Sequence, residues 1–130
     1  MIKDLEAAIG YRFNNITLLQ NALTHSSYAN ERWHNSLLSN ERLEFLGDSI
    51  LGMLVAEYLF RTFPDRPEGE LTRMRADMVC EHTLATVANK IGLGEHLLLG
   101  HGAAQQLDIP EAIADRGFQI TDHRQSPSFR

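Results

Sequence analysis

Between Leu43 and Phe60 the sequence is dominated by apolar side chains: Phe45, Leu46, Ile50, Leu51, Met53, Leu54, Val55, Tyr58 and Leu59, with Pro64 beyond them. Val55 and Ile50 are too few among the leucines, methionine and alanine for a strand. So high an apolar content predicts a helix buried on most of its faces, the central element of an all-α domain. The chain has 130 residues, 43% of them apolar, which is enough for one core of ordinary domain size. Punctuation elsewhere agrees. Residues 4–9 and 16–24 read as short amphipathic helices, with Asn14-Asn15 as turn and N-cap between them. The polar mixture over 26–39 reads as a loop with a partial turn. Pro67 suits a first turn, with Glu68 and Glu70 where the helix dipole favours acids, so a helix should run to about Met78. Another spans about Thr83 to Ile91, ended by Gly92 and Gly94. Ala103–Ala114 has helical character interrupted by Pro110, and 117–130 offers only Phe118, Ile120 and Phe129 as large apolar residues.

Charge and cysteine usage narrow the function classes. Lys and Arg number 12 against 17 Asp and Glu, a net charge of −5, which is the reverse of the basic footprint phosphate binding normally leaves. Cys80 stands alone, excluding a disulfide framework and a thiolate zinc site and fitting a reducing compartment. No run of eighteen apolar residues exists for a membrane span, and the N-terminus lacks an apolar signal core. The expectation is a cytoplasmic protein without a membrane partner.

The central helix carries an unusual set of acids. Glu41, Glu44 and Asp48 stand at i, i+3 and i+7, within an arc of roughly 60° on one face. On a buried helix three such carboxylates repel one another and are costly to desolvate, so a cation should accompany them. A hard ion such as Mg²⁺, which takes carboxylate oxygens and keeps several waters, suits the arrangement. The alternative is a solvated edge on which Arg42 or Arg73 pairs the acids. Gly47 adds an oddity. A glycine inside a helix costs about 1 kcal/mol relative to Ala, which suggests close approach of another backbone or a ligand.

The segment Asn40-Glu41-Arg42-Leu43-Glu44-Phe45-Leu46-Gly47-Asp48-Ser49-Ile50-Leu51 resembles the signature motif of the ribonuclease III family of double-stranded-RNA endonucleases. Leu23-Thr24-His25-Ser26-Ser27-Tyr28, Phe63-Pro64 and Glu68-Gly69-Glu70-Leu71-Thr72-Arg73-Met74-Arg75-Ala76 agree in order, as do Leu84-Ala85 and Leu93-Gly94 through Leu99-Gly100. The resemblance covers roughly residues 3–100. It implies an all-α endonuclease domain acting as a homodimer, in which each carboxylate cluster cuts one RNA strand with Mg²⁺ (or Mn²⁺), as in the processing of rRNA precursors. Carried onto this chain, Glu44 becomes a metal ligand and Asp48 a metal-proximal catalytic acid. Glu41 and Glu68 would line the RNA valley, and Phe45 would plug into a socket on the partner copy. An acidic cleft can approach phosphates once a metal neutralises it, which answers the charge objection.

The resemblance also marks departures. The family completes its metal site with an Asp-x-x-Glu pair on a later helix. Asp108-Ile109-Pro110-Glu111 has that spacing, but Asp108 as N-cap and Glu111 at N3 equally form a capping box, where Pro110 is tolerated. Alternatively, Arg124-Gln125-Ser126-Pro127-Ser128-Phe129-Arg130 resembles the stretch before the acidic helix, which makes 101–123 an enlarged loop and the domain C-terminally incomplete. The expected organisation is a catalytic domain over 1–130 with a divergent 101–130 tail and no double-stranded-RNA-binding domain. The competing function is a catalytically impaired relative that dimerises and binds structured RNA without cleaving. His25 is either an RNA contact or packed beside a helix end, Cys80 a small core residue, and Arg73 and Arg75 partners of the carboxylates.

Overall fold

A computed structural model describes residues 2–106. Asp108, Glu111 and the Arg124–Arg130 stretch lie outside the described residues. The described part is all-α: α1 (Ile2–Ile9), α2 (Ile16–Ala22), α3 (Ser26–Trp33), α4 (Glu41–Thr62), α5 (Glu68–Val79), α6 (Glu81–Lys90) and α7 (His101–Gln106), with 3-10 turns at Ser36–Leu38 and Leu93–His96. Extended backbone pairs only at an isolated parallel bridge between Thr24 and Leu98 among these residues.

Local chemistry sets the boundaries. Asn15 caps α2 as expected, its side-chain oxygen accepting from the Thr17 and Leu18 amides at 3.0 and 3.4 Å. Pro67 precedes Glu68 at the start of α5, and Gly92 ends α6 with the left-handed φ of 65° that favours glycine. One expectation is corrected here. Residues 26–39 contain a helix, α3, because the His25 ring nitrogen accepts from the Ser27 amide at 3.2 Å and caps its start. Tyr28 and Ala29 bury one side of it, and Trp33 meets Tyr28 edge-on at 5.5 Å. Of the stretch 101–123, an enlarged loop on one of the two readings above, residues 101–106 form α7, and the rest lies outside the described residues.

Packing is uneven. Leu5, Leu19 and Leu23 form a core where α1 and α2 meet the 93–97 segment, with Ile2, Phe13, Ile91, Leu93 and Leu97 against it. A smaller cluster joins Leu99 to Ala104 of α7. Helix α4 packs chiefly against α5, and Leu59 is its one fully buried side chain. Burial of α4 on most faces is therefore corrected: Phe45, Leu46, Ile50, Met53, Leu54, Tyr58 and Phe60 are exposed. An all-round apolar helix states a need for cover, and within the described residues α5 supplies it along one side only. Cys80 is also corrected, from core residue to exposed helix start at α6.

Candidate functional site on the acidic face of α4

The acids of α4 descend from its first turn. Glu41 and Glu44 occupy that turn, where the unsatisfied amides and the helix dipole favour negative charge. Asp48 follows one turn later. Glu41, Glu44 and Asp48 line one open hollow together with Phe45, Gly47, Ser49, Leu51 and, from α6, Leu84. Leu84 was not singled out as a site residue from sequence; its only signal was its place in one of the matching segments. Phe45 stands at the rim, 82% exposed, and also borders a neighbouring hollow with Asn21, Leu37, Glu41 and Arg42.

Glu68 is elsewhere. Its carboxylate accepts from the Thr72 hydroxyl at 2.6 Å and lines a separate groove between α4 and α5 with Ala56, Phe60, Leu71 and Arg75. Arg61 pairs with Glu57 at 2.8 Å and Arg66 with Glu70 at 2.9 Å. Among the described residues neither Arg42, Arg73 nor Arg75 forms an ion pair with the acids of α4, so the expected arginine partners are corrected.

All three carboxylates of the stripe are exposed. Desolvation therefore does not demand a cation in the single chain, and what remains is the convergence of three acids on one hollow. Among the described residues no group of three or more metal-ligating side chains is gathered closely enough to hold an ion as a cage. The donor set still suits a hard, hydrated cation held by one or two carboxylates, since such ions retain most of their water. Gly47 has open space around it, with nothing within 4 Å of where a Cβ would stand. The close approach expected there is not made by this chain's described residues.

The start of α4 is held from behind. Thr24 and Ser39, each 2% exposed, are buried under it. The Asn40 amide donates to the Thr24 carbonyl at 2.8 Å, and Asn40 Nδ2 donates to the Ala22 carbonyl at 3.2 Å. Further back, the Glu31 carboxylate takes the start of α7, accepting from the His101 amide at 3.1 Å with the His101 ring at 3.3 Å. The His101 backbone bond, then its side chain, hold the Glu31 carboxyl below the usual carboxylate range. A Cβ at Gly100 would run into that carboxylate. At Cys80, the hydroxyl of Thr83 lowers the thiol pKa first, followed by nearby backbone amides.

The profile of the ribonuclease-III-like family matches residues 15–112. Ribonuclease 3 of Symbiobacterium thermophilum is 54% identical over 97 residues, covering 75% of this chain and 40% of that protein. Ribonuclease 3 of Geobacter metallireducens is 56% identical over 100 residues, covering 76% and 41%. The chain thus spans about two fifths of the length of these curated relatives. The nuclease domain of ribonuclease III from Campylobacter jejuni, described for structural flexibility in a region involved in dimer formation, superimposes with a TM-score of 0.75. It is 37% identical, covering 88% of this chain and 78% of that one. Matched along most of its length in sequence and in fold, the chain belongs to the ribonuclease-III-like family.

Proposed function

We propose that residues 1–130 form a catalytic domain of a Mg²⁺-dependent endoribonuclease that cleaves double-stranded RNA to 5′-phosphate and 3′-hydroxyl products, as in rRNA maturation in the cytoplasm. The observation that carries this reading is the shared hollow of Glu41, Glu44 and Asp48 on the helix whose sequence matches the family motif. Bound there, Mg²⁺ (or Mn²⁺) supplies Lewis-acid polarisation of a phosphoryl oxygen and activation of a water. Glu44 and Asp48, one turn apart on the same face, would hold the ion, and Asp48 would also position water and proton beside it. Glu41 and Glu68 border the RNA path, and the exposed Phe45 anchors a second copy of the chain, since aromatics commonly anchor interfaces.

Cleavage of a labelled RNA duplex in Mg²⁺, compared with Asp48→Asn as the blank, tests the reading. Cutting that Asp48→Asn leaves intact overturns it, and Asp108→Asn and Glu111→Gln then become the informative variants. Binding without cutting favours the second reading, a relative that dimerises and binds structured RNA without cleaving it.

A further inference from the structure

The Leu23–Ser27 segment, prominent in the sequence, has no part in the chemistry just proposed, yet it lies behind the acidic helix. Its backbone is shared between two neighbours in alternation. The carbonyls of Ala22 and Thr24 accept from Asn40, through Nδ2 at 3.2 Å and the amide at 2.8 Å. On the other side, the Leu23 carbonyl accepts from the Leu98 amide at 2.8 Å and the His25 amide donates to Leu98 at 3.0 Å. Ser27 continues the second side, its hydroxyl accepting from the Gly100 amide at 2.9 Å. Asn21 reinforces the first. Assigned with its amide nitrogen rather than its oxygen toward the 38–39 carbonyls, the orientation those two acceptors require, it would donate to Leu38 at 2.7 Å and Ser39 at 3.0 Å.

Asn40 occupies the N-cap position of α4 without making the usual side-chain cap bond. Asparagine there normally accepts from an amide of the first turn. Here its amide is turned out of the helix and onto Ala22. The next helical bond, from the Glu44 amide to the Asn40 carbonyl at 2.8 Å, starts from the residue so held. We propose that Asn40, reinforced by Asn21, is a positioning residue that fixes the first turn of α4 against the Ala22–His25 backbone and thereby sets where Glu41 and Glu44 stand. Its consequence for metal binding rests on the function proposed above.

Asn40→Ser separates positioning from simple helix stability. Serine keeps a small polar side chain at the αR position of residue 40 but does not reach Ala22, so the melting temperature should fall by no more than about 5 °C, the loss of one exposed hydrogen bond. In the metal-free chain, hydrogen exchange at the Glu44 and Phe45 amides should accelerate about fivefold as the first turn loosens. Titration with Mn²⁺ alone should show an affinity about tenfold weaker, the lower end for partners that orient a ligand. Asn15→Ala, which removes a cap from α2, should alter neither readout. Unchanged exchange at Glu44 and Phe45, or Mn²⁺ affinity within twofold of wild type, overturns the proposal. If Glu44→Gln binds Mn²⁺ as wild type does, the assignment of Glu44 as ligand fails instead, and the exchange measurement alone decides the positioning role.

Discussion

Leu59 and Phe45 lie on the same helix at opposite extremes of exposure, 1% and 82%, and truncating each should have opposite consequences. Leu59→Ala removes the one fully buried side chain of α4, a change that costs roughly 2–5 kcal/mol. With a urea slope of about 1.5 kcal/mol/M, a 3 kcal/mol loss lowers the midpoint by about 2 M. Full burial of a phenylalanine contributes about 1.5–3 kcal/mol, so with less than a fifth of Phe45 out of water its truncation costs the single chain roughly 0.5 kcal/mol. Should a second copy cover α4, Phe45 becomes a central anchor, and Phe45→Ala weakens the dimer by about 2 kcal/mol or more. That corresponds to roughly 30-fold in dissociation constant. Urea melts at protein concentrations a hundredfold apart, with sedimentation of the same samples, read both terms. Wild type should gain about 2.7 kcal/mol across that range when dimeric. A Phe45→Ala midpoint as low as that of Leu59→Ala in dilute solution would refute the exposure argument. A wild-type midpoint and sedimentation indifferent to concentration and to Phe45→Ala would refute the second copy.

Asp48→Asn and Glu44→Gln should each lower Mg²⁺-dependent cleavage of duplex RNA on the order of 100-fold, read by gel. As exposed positions, they should leave the melting midpoint within about 0.5 kcal/mol of wild type. Glu31 has a folded pKa below its ordinary value of 4.5 because His101 donates to it, so the unfolded chain binds more protons in that window. Its stabilisation should be complete above the unfolded pKa and fade as pH falls through the folded one, and Glu31→Gln should flatten that acid limb in urea melts. The Cys80 thiol, exposed and with its pKa lowered by Thr83, should react with iodoacetamide at neutral pH faster than an unstructured cysteine peptide, and Thr83→Ala should slow it.

Much of the helix pattern was legible because its signals are local. Asn15, Pro67 and Gly92 mark ends through caps and φ preferences that need no tertiary knowledge. Helix α3 escaped because a two-turn helix with only Tyr28 and Ala29 buried has too few apolar positions to show a period. The environment of α4 escaped for a different reason. Composition reports that Phe45, Met53 or Tyr58 gains from leaving water, but it does not say whether this chain, or another, supplies the cover. The same limit misplaced Cys80, whose small apolar character fits a core as well as a helix start. Spacing brought Glu41, Glu44 and Asp48 together because one helix carries all three. Spacing had no access to Glu68, on a separate helix, nor to the seam behind Asn40, whose side-chain partner Ala22 lies 18 residues away.

The backbone seam at Ala22–His25 also bears on the order in which this chain can fold during synthesis. Helices α4 and α5 adjoin in sequence and can dock soon after both emerge. The bonds from Leu98 to Leu23 and from Gly100 to Ser27, the latter 73 residues apart, must wait until nearly everything between them has left the ribosome. Closing a loop of that length costs about 4 kcal/mol in chain entropy before any seam bond is made, so the step belongs late, when the intervening helices have already shortened the effective loop. Until then the Ala22–His25 backbone that backs the first turn of α4 is held on one side only, by Asn40, the period in which such a domain is most prone to aggregate.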